Sequence, residues 1–200
     1  MGDVQKEQSE GDLLRRARRA DAGAYHEMVD LYGERLYRLA YSLVGNREDA
    51  ADVLQETFSG AFRGMRDFKE RSSLKTWLCR ILVKQAARHR RKEHRRRVIS
   101  LEQCEESSGE TAAATADITG DAKIDIEEAM RMLSPDHREV ILLREMRGLS
   151  YEEISEVLGI PRGTVESRLF RARQELRTLL RDYETCAVRD RKERSDDVCV

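Results

Sequence analysis

Residues that break helices or clasp small folds are scarce in this chain, which holds two prolines and four cysteines in 200 residues. Few prolines leave long stretches open to helix. Cys79, Cys104, Cys186 and Cys199 stand apart with no CxxC pair, which argues against a disulfide framework or a structural zinc site. Cys79, set among Leu78, Ile81 and Leu82, reads as a small core residue. No stretch approaches the roughly 18 apolar residues a membrane span needs, and the polar start from Met1 to Glu10 lacks the apolar run of a signal peptide. The expected location is the cytoplasm. No glycine-rich phosphate loop is present, and His26, His89, His94 and His137 lie apart with no serine or cysteine in a nucleophile setting. An enzyme is therefore not expected, and neither a cofactor nor a metal is implied.

Charge is abundant: 38% of residues are charged against 40% hydrophobic. That balance suits small amphipathic helical units with thin cores. The net charge of -1 hides a strong segregation. Nine Lys/Arg lie between Arg80 and Arg97 against the single acid Glu93, whereas from Val98 to Glu128 nine Asp/Glu face only Lys123. A polyanion-binding block is thus joined to an acidic one. Between Glu102 and Gly120 apolar periodicity gives way to Ser, Thr, Ala, Gly and acids, a linker composition. The expected organisation is an all-α chain of two small helical domains: a flexible N-terminus over 1–20, a first domain over 21–97, an acidic linker over 98–124, a second domain over 125–183 and a disordered tail over 184–200.

In the first domain Tyr25, Met28, Val29, Tyr32, Leu36, Leu39 and Leu43 recur at helical spacing until Gly45 and Asn46 stop the pattern. A second helix opens with Glu48 and Asp49, favourable at the positive end of the helix dipole, and carries Ala50, Leu54, Phe58, Ala61 and Met65 inward. After a break from Asp67 to Ser73, Ser73 can cap a third helix with Trp77, Ile81 and Leu82 inward and a strongly basic continuation. Three helices around one small core are expected. In the second domain, Ser134-Pro135 signals a helix start and Gly148 its end. Ser150 and Glu153 form the capping box of a short helix, Tyr151 to Leu158. Gly159 turns the chain into a longer helix, with Pro161 in its first turn and Val165, Leu169, Ala172, Leu176 and Leu179 inside.

A short capped helix, a glycine turn and a longer basic helix make the helix-turn-helix pattern, whose second helix enters the major groove. Arg162, Gly163, Thr164, Glu166, Ser167 and Arg168 lie near the N-terminal end of that helix, where base edges and phosphates are met. Arg171 and Arg173, farther along, are expected mostly to hold the phosphate backbone; the competing reading is a solvated face of a structural hairpin. Next to the basic run that begins at Arg80 sits Phe68 to Trp77, where two aromatics accompany Lys69, Arg71, Ser72, Ser73, Lys75 and Thr76. Aromatic, hydroxyl and cationic groups together suit unstacked bases, and Arg80 onward suits phosphates. The alternative for Phe68 and Trp77 is plain core filling.

Two separate motif groups resemble the extracytoplasmic-function sigma factors of bacterial RNA polymerase, and the likeness covers nearly all of the chain outside its ends. Asp49-Ala-Ala-Asp52-Val-Leu-Gln55-Glu56-Thr-Phe58 is similar to that family's polymerase-binding helix. The resemblance implies that Asp49, Asp52, Gln55, Glu56 and Phe58 meet core RNA polymerase at the clamp coiled coil of its largest subunit, with the flap region as a further contact. Phe68 to Trp77 and on to Arg80, Lys84 and Arg88 resembles the segment that captures a flipped base and reads the minus-ten element. Lys84 stands where many members carry asparagine. Gly148 to Ile154 and Gly163 to Arg173 resemble the minus-thirty-five reader, with Glu166 in a slot often basic or polar. The family further implies promoter DNA and an anti-sigma factor as partners, and an acidic connector that threads polymerase channels.

Overall fold

The computed structural model describes the backbone of residues 2–104 and 126–196, with side chains from 10 to 96 and, 127 aside, from 126 to 181. Every regular element among these residues is helical. Polar composition over residues 1–20 predicts a flexible start, yet the chain forms helix α1, Gly2–Arg18. Leu13, Leu14 and Ala17 are buried to 1%, 6% and 1% exposure. Three apolar side chains on one short face suffice to dock a helix whose average composition is polar. The first domain accordingly has four helices rather than three.

Helix α2, Ala22–Val44, starts at Asp21, whose carboxylate accepts from the Gly23 and Ala24 amides at 2.7 and 3.2 Å. The Ala24 amide and the Arg16 guanidinium hold the Asp21 carboxyl below its usual range. Met28, Leu36, Leu39 and Leu43 face the interior as their spacing requires, but Val29 is 40% exposed. Gly45 ends the helix at φ 91, with its N–H donating to Tyr41 at 2.8 Å; a side chain in that left-handed conformation is unfavourable. Asn46 then caps helix α3, Arg47–Gly64, by accepting from the Asp49 amide at 2.8 Å. A cap of this kind contributes about 1 kcal/mol.

Helix α3 buries Ala50, Val53, Thr57, Phe58 and Ala61. It lies close to helix α4, Leu74–Cys104: a Cβ on Gly60 would sit 3.3 Å from the Ile81 side chain. A 3-10 turn, Met65–Asp67, and a short loop join the two. Helix α4 places Leu74, Leu78, Cys79, Leu82, Val83 and Ala86 inside. Trp77 and Ile81, expected inside, are partly buried against the core's edge. The helix runs to Cys104, past the expected domain end at Arg97, because nothing in Val98 to Cys104 breaks a helix. The remainder of the acidic linker, 105–124, lies outside the described residues.

The second unit comprises α5, Ile126–Met132; α6, Pro135–Ile141; α7, Tyr151–Leu158; and α8, Arg162–Asp196. Ser134 caps α6 by accepting from the His137 amide. Arg138 ties α5 to α6 by donating to the carbonyls of Met130 at 2.7 Å and Leu133 at 3.2 Å. A π turn, Leu142–Met146, widens the end of α6, and the Arg147 amide reaches back to Leu142 O at 3.3 Å. The Ser150–Glu153 capping box is formed in both directions, Gly159 sits at φ 67, and α8 buries Val165, Leu169 and Ala172. Its backbone continues to Asp196, beyond the expected start of a disordered tail at 184, since no proline or glycine follows Gly163 within it. No helix among the described residues is long and apolar enough to cross a membrane.

The two units share a continuous apolar interior. Helix α7 packs on α4, and Arg147, at 8% exposure, lies beside the Cys79 thiol of α4. Burial pushes that thiol up, with Arg147 opposing the shift. The Arg147 Nε has no hydrogen-bond partner among the described residues, so this cation is incompletely compensated for its lost hydration.

Candidate polymerase and nucleic-acid surfaces

Three surfaces gather the residues singled out in the sequence. On α3, Asp52, Gln55 and Glu56 are exposed on the side opposite Val53 and Ala61. Asp49 is half-buried, 3.3 Å from His89 Nε2. With Gln85, Arg88, His89 and Lys92 of α4 these residues line an open cleft. One wall is acidic and the other basic, an arrangement that suits a helix of mixed charge. Phe58, expected among the polymerase contacts, is 6% exposed. It supports this face from inside the core and cannot offer its ring to a partner. Arg88, expected with the minus-ten residues, borders the same cleft instead.

The second surface is the loop before α4. Phe68 is buried and its ring packs on Trp77 at 4.7 Å between centroids. The core-filling alternative thus holds for Phe68, while Trp77 keeps a partly open edge. Lys69 and Arg71 are exposed, Ser72 and Lys75 partly so. Ser73 caps α4, accepting from the Thr76 amide at 3.1 Å. Lys84 is exposed farther along.

Thr76, at 1% exposure, is covered by α7. Its hydroxyl donates to Glu153 Oε1 at 2.7 Å and is itself 2.8 Å from Ser73 Oγ. Arg80 Nε donates to the Glu156 carbonyl at 3.2 Å and Nη1 lies 3.5 Å from its carboxylate. Lys75 reaches the Arg147 carbonyl at 3.5 Å, and Arg90 pairs with Glu139. Burial raises the Glu153 carboxyl, but hydrogen bonds from Ser150 and Thr76, with Lys75 nearby, outweigh it and the pKa falls below its usual value. Part of the expected minus-ten set therefore faces the second unit in this structure.

The third surface is α8. Pro161 accepts from Thr164 at 2.9 Å and opens the helix. Arg162, Gly163, Glu166, Ser167 and Arg171 are exposed. Their spacing of three and four puts them on one face. Several arginines are held by acids: Arg162 by Glu152 at 2.6 Å and Glu166 at 2.9 Å, Arg168 by Asp136 at 2.6 Å, Arg173 by Glu145 at 2.8 Å. Arg168 is thereby turned toward α6, and Thr164 is half-buried. Phe170, not among the residues chosen from sequence, is 63% exposed on the outer face. An aromatic on a groove-facing helix can meet a thymine methyl; the available signal was its phase, one turn from Glu166 and Gln174 and off the Val165, Leu169 and Ala172 stripe.

Among the described residues no group of three or more His, Cys, Asp or Glu is placed to hold a metal. His137 instead pairs with Glu175 at 2.6 Å. The side chains of Cys104, Cys186 and Cys199 lie outside the described set.

Two family descriptions match the chain: Sigma-70 region 2 over residues 28–96 and Sigma-70 region 4 over residues 123–176. The chain is 31% identical over 179 residues to the RNA polymerase sigma-H factor of Pseudomonas aeruginosa, covering 85% of this chain and 93% of that protein. It is 34% identical over 173 residues to the ECF RNA polymerase sigma-E factor of Escherichia coli, covering 82% and 90%. The ECF sigma factor SigE of Mycolicibacterium smegmatis is 35% identical over 159 residues, which span 78% of this chain and 62% of that one. Among solved structures, the sigma factor RpoE in complex with the anti-sigma factor NepR from Bartonella quintana matches at TM-score 0.60 and 30% identity, over 78% of this chain and 96% of that one. CnrH in complex with the cytosolic domain of CnrY matches at TM-score 0.64 and 27% identity, over 86% and 97%. With both regions present and relatives matched at 31% and 34% identity over 93% and 90% of their length, the chain belongs to the ECF family of RNA polymerase sigma factors.

Proposed function

We propose that the chain docks on core RNA polymerase through the cleft between α3 and α4, reads the minus-ten element with the loop ahead of α4, and reads the minus-thirty-five element with the outer face of α8. The observation that carries this reading is the pairing of an acidic, solvent-facing stripe on α3 with two cationic surfaces in one chain, each in the region its family description covers. It acts in the cytoplasm, where core polymerase is. Chemistry belongs to the polymerase, and this chain contributes recognition and strand capture. An anti-sigma factor is the expected regulator, as such proteins accompany related structures. The domain limits that fit this division are 21–97 for the first and 125–183 for the second, with α1 added to the first.

Polymerase docking is tested by capture. Gln55→Ala with Glu56→Ala alters only exposed side chains, so the fold should survive and retention of the full chain on immobilised core polymerase should drop about tenfold or more, as expected when central polar contacts are removed. Unchanged retention would place the docking surface elsewhere.

Promoter reading in this scheme requires Thr76 and Arg80 to be uncovered. The contacts that cover them are weak individually: a half-exposed pair such as Arg80–Glu156 is worth about 0.2 to 1 kcal/mol, and a charge-assisted bond such as Thr76–Glu153 about 1.5 to 3 kcal/mol. Binding to polymerase can outweigh both by preferring the separated arrangement. Glu156→Arg sets a cation against Arg80 and should favour separation. Small-angle scattering of the free variant should report a larger radius of gyration than wild type. An unchanged radius would mean that the α4–α7 contact does not depend on this charge.

A further inference from the structure

Helix α1 touches the loop between the 3-10 turn and α4 at both of its ends. At the start, Arg18 Nη2 donates to the Phe68 carbonyl at 2.8 Å and lies 2.6 Å from Glu70 Oε1. At the finish, Glu10 Oε1 accepts from the Leu74 amide at 3.2 Å, one of the donors that the first turn of α4 leaves without an intrahelical partner. Between these points Glu70 adopts φ 51, a conformation that a non-glycine residue holds only when its surroundings impose it. Arg18 supplies such a constraint, since one guanidinium nitrogen grips both the Phe68 carbonyl, two residues before the left-handed residue, and that residue's own carboxylate. The helix that presents Arg18 and Glu10 is itself anchored, through Leu13, Leu14 and Ala17.

We propose that α1 is a brace for strand capture: Arg18 and Glu10 are positioning residues that preset the 68–74 loop, and with it the Phe68–Trp77 ring pair, in the shape that receives an unstacked base. Neither residue needs to touch DNA. The proposal rests on the reading of this loop as the minus-ten reader. A loop fixed before binding loses less freedom on capturing a base than a loose one, so the brace acts on affinity for the single strand and leaves the duplex reader on α8 alone. The 1–20 segment, polar by composition, thereby acquires a part in promoter opening.

The experiment uses holoenzyme reconstituted from core polymerase and the full chain. A promoter is first selected by wild-type holoenzyme from a random-sequence template library. It is then prepared as a fork with a single-stranded minus-ten non-template strand, and separately as a duplex containing only the minus-thirty-five element. Arg18→Ala and Glu10→Ala should each weaken fork binding about tenfold, in line with loss of a charge-assisted hydrogen bond. Duplex binding, core capture and melting temperature should stay near wild type. Glu10→Gln, whose amide oxygen still accepts from Leu74, should restore fork binding, a rescue that general helix stabilisation by charge would not give.

Lys69→Ala with Arg71→Ala separates the two layers of inference. If this loop variant loses fork affinity while Arg18→Ala and Glu10→Ala bind the fork as wild type does, the brace is overturned and the loop reading stands. If the loop variant also binds the fork normally, the loop reading itself falls and the brace with it. Should Arg18→Ala prove unstable, the Glu10→Ala and Glu10→Gln pair decides alone: equal fork affinity for the two contradicts the proposal.

Discussion

Leu78→Ala is expected to destabilise the chain by about 2 to 5 kcal/mol, the range for truncating a fully buried leucine. Leu78 is 0% exposed, follows Trp77 directly and lies on the helix that lines the cleft and follows the 68–73 loop. Its removal opens a cavity where α4 meets the rest of the core. Single domains have only about 5 to 15 kcal/mol in total, so a substantial part of the stability disappears. Urea unfolding should show a lower midpoint with an unchanged slope. Phe170→Ser is the contrast, because that side chain is 63% exposed, and it should change stability by no more than about 0.5 kcal/mol. Equal effects at the two positions would mean that α4 is not the centre of the core.

Arg171→Ala should weaken binding of holoenzyme to its selected promoter by about 1 to 3 kcal/mol, roughly 5- to 150-fold, with the loss concentrated on one base pair of the minus-thirty-five element. The basis is placement: Arg171 is exposed on the outer face of α8, one turn on from Ser167 and beside Phe170. Arg173 differs, since Glu145 holds it at 2.8 Å and a phosphate must displace that carboxylate. Arg173→Ala should therefore weaken all sequences alike and reduce the salt slope by about one. Competition between promoter variants carrying each base at each position, repeated across salt concentrations, separates the two. A uniform loss for Arg171→Ala would instead assign it to the phosphate backbone, the role expected of it from sequence alone.

Local signals carried most of the architecture. Ser73, Ser134 and Ser150 all cap the helices their positions announce, Asn46, read only as a stop, caps α3 as well, and Gly45 and Gly159 take the left-handed conformation after a helix end. Capping and apolar spacing act within a few residues, so sequence displays them directly. What sequence did not display depends on distant partners. Leu13, Leu14 and Ala17 look sparse in a polar segment until α2 and its neighbours provide a surface to dock on. Phe58 is different: the spacing of α3 already placed it inward, where it lies, and only the motif resemblance, which records adjacency and not phase, put it among the polymerase contacts.

The same limit governs the site. Cationic loop and basic helix were recognisable from composition, and Lys69, Arg71, Arg162 and Arg171 are indeed exposed. Composition could not show that Arg168 turns to Asp136 or that Thr76 and Arg80 meet Glu153 and Glu156. Each of those contacts joins residues at least 32 positions apart, a separation over which no helical or strand periodicity operates. Phe170 shows what phase alone decides: out of step with Val165, Leu169 and Ala172, this large apolar side chain lies outside.

Transcription in vitro from the random template library, with core polymerase alone, the full chain alone, or both together, tests the central claim most directly. Initiation at a defined set of new start sites, each with matched elements near minus ten and minus thirty-five and only when chain and core are both present, is the expected result. Start sites identical with and without the chain would contradict it.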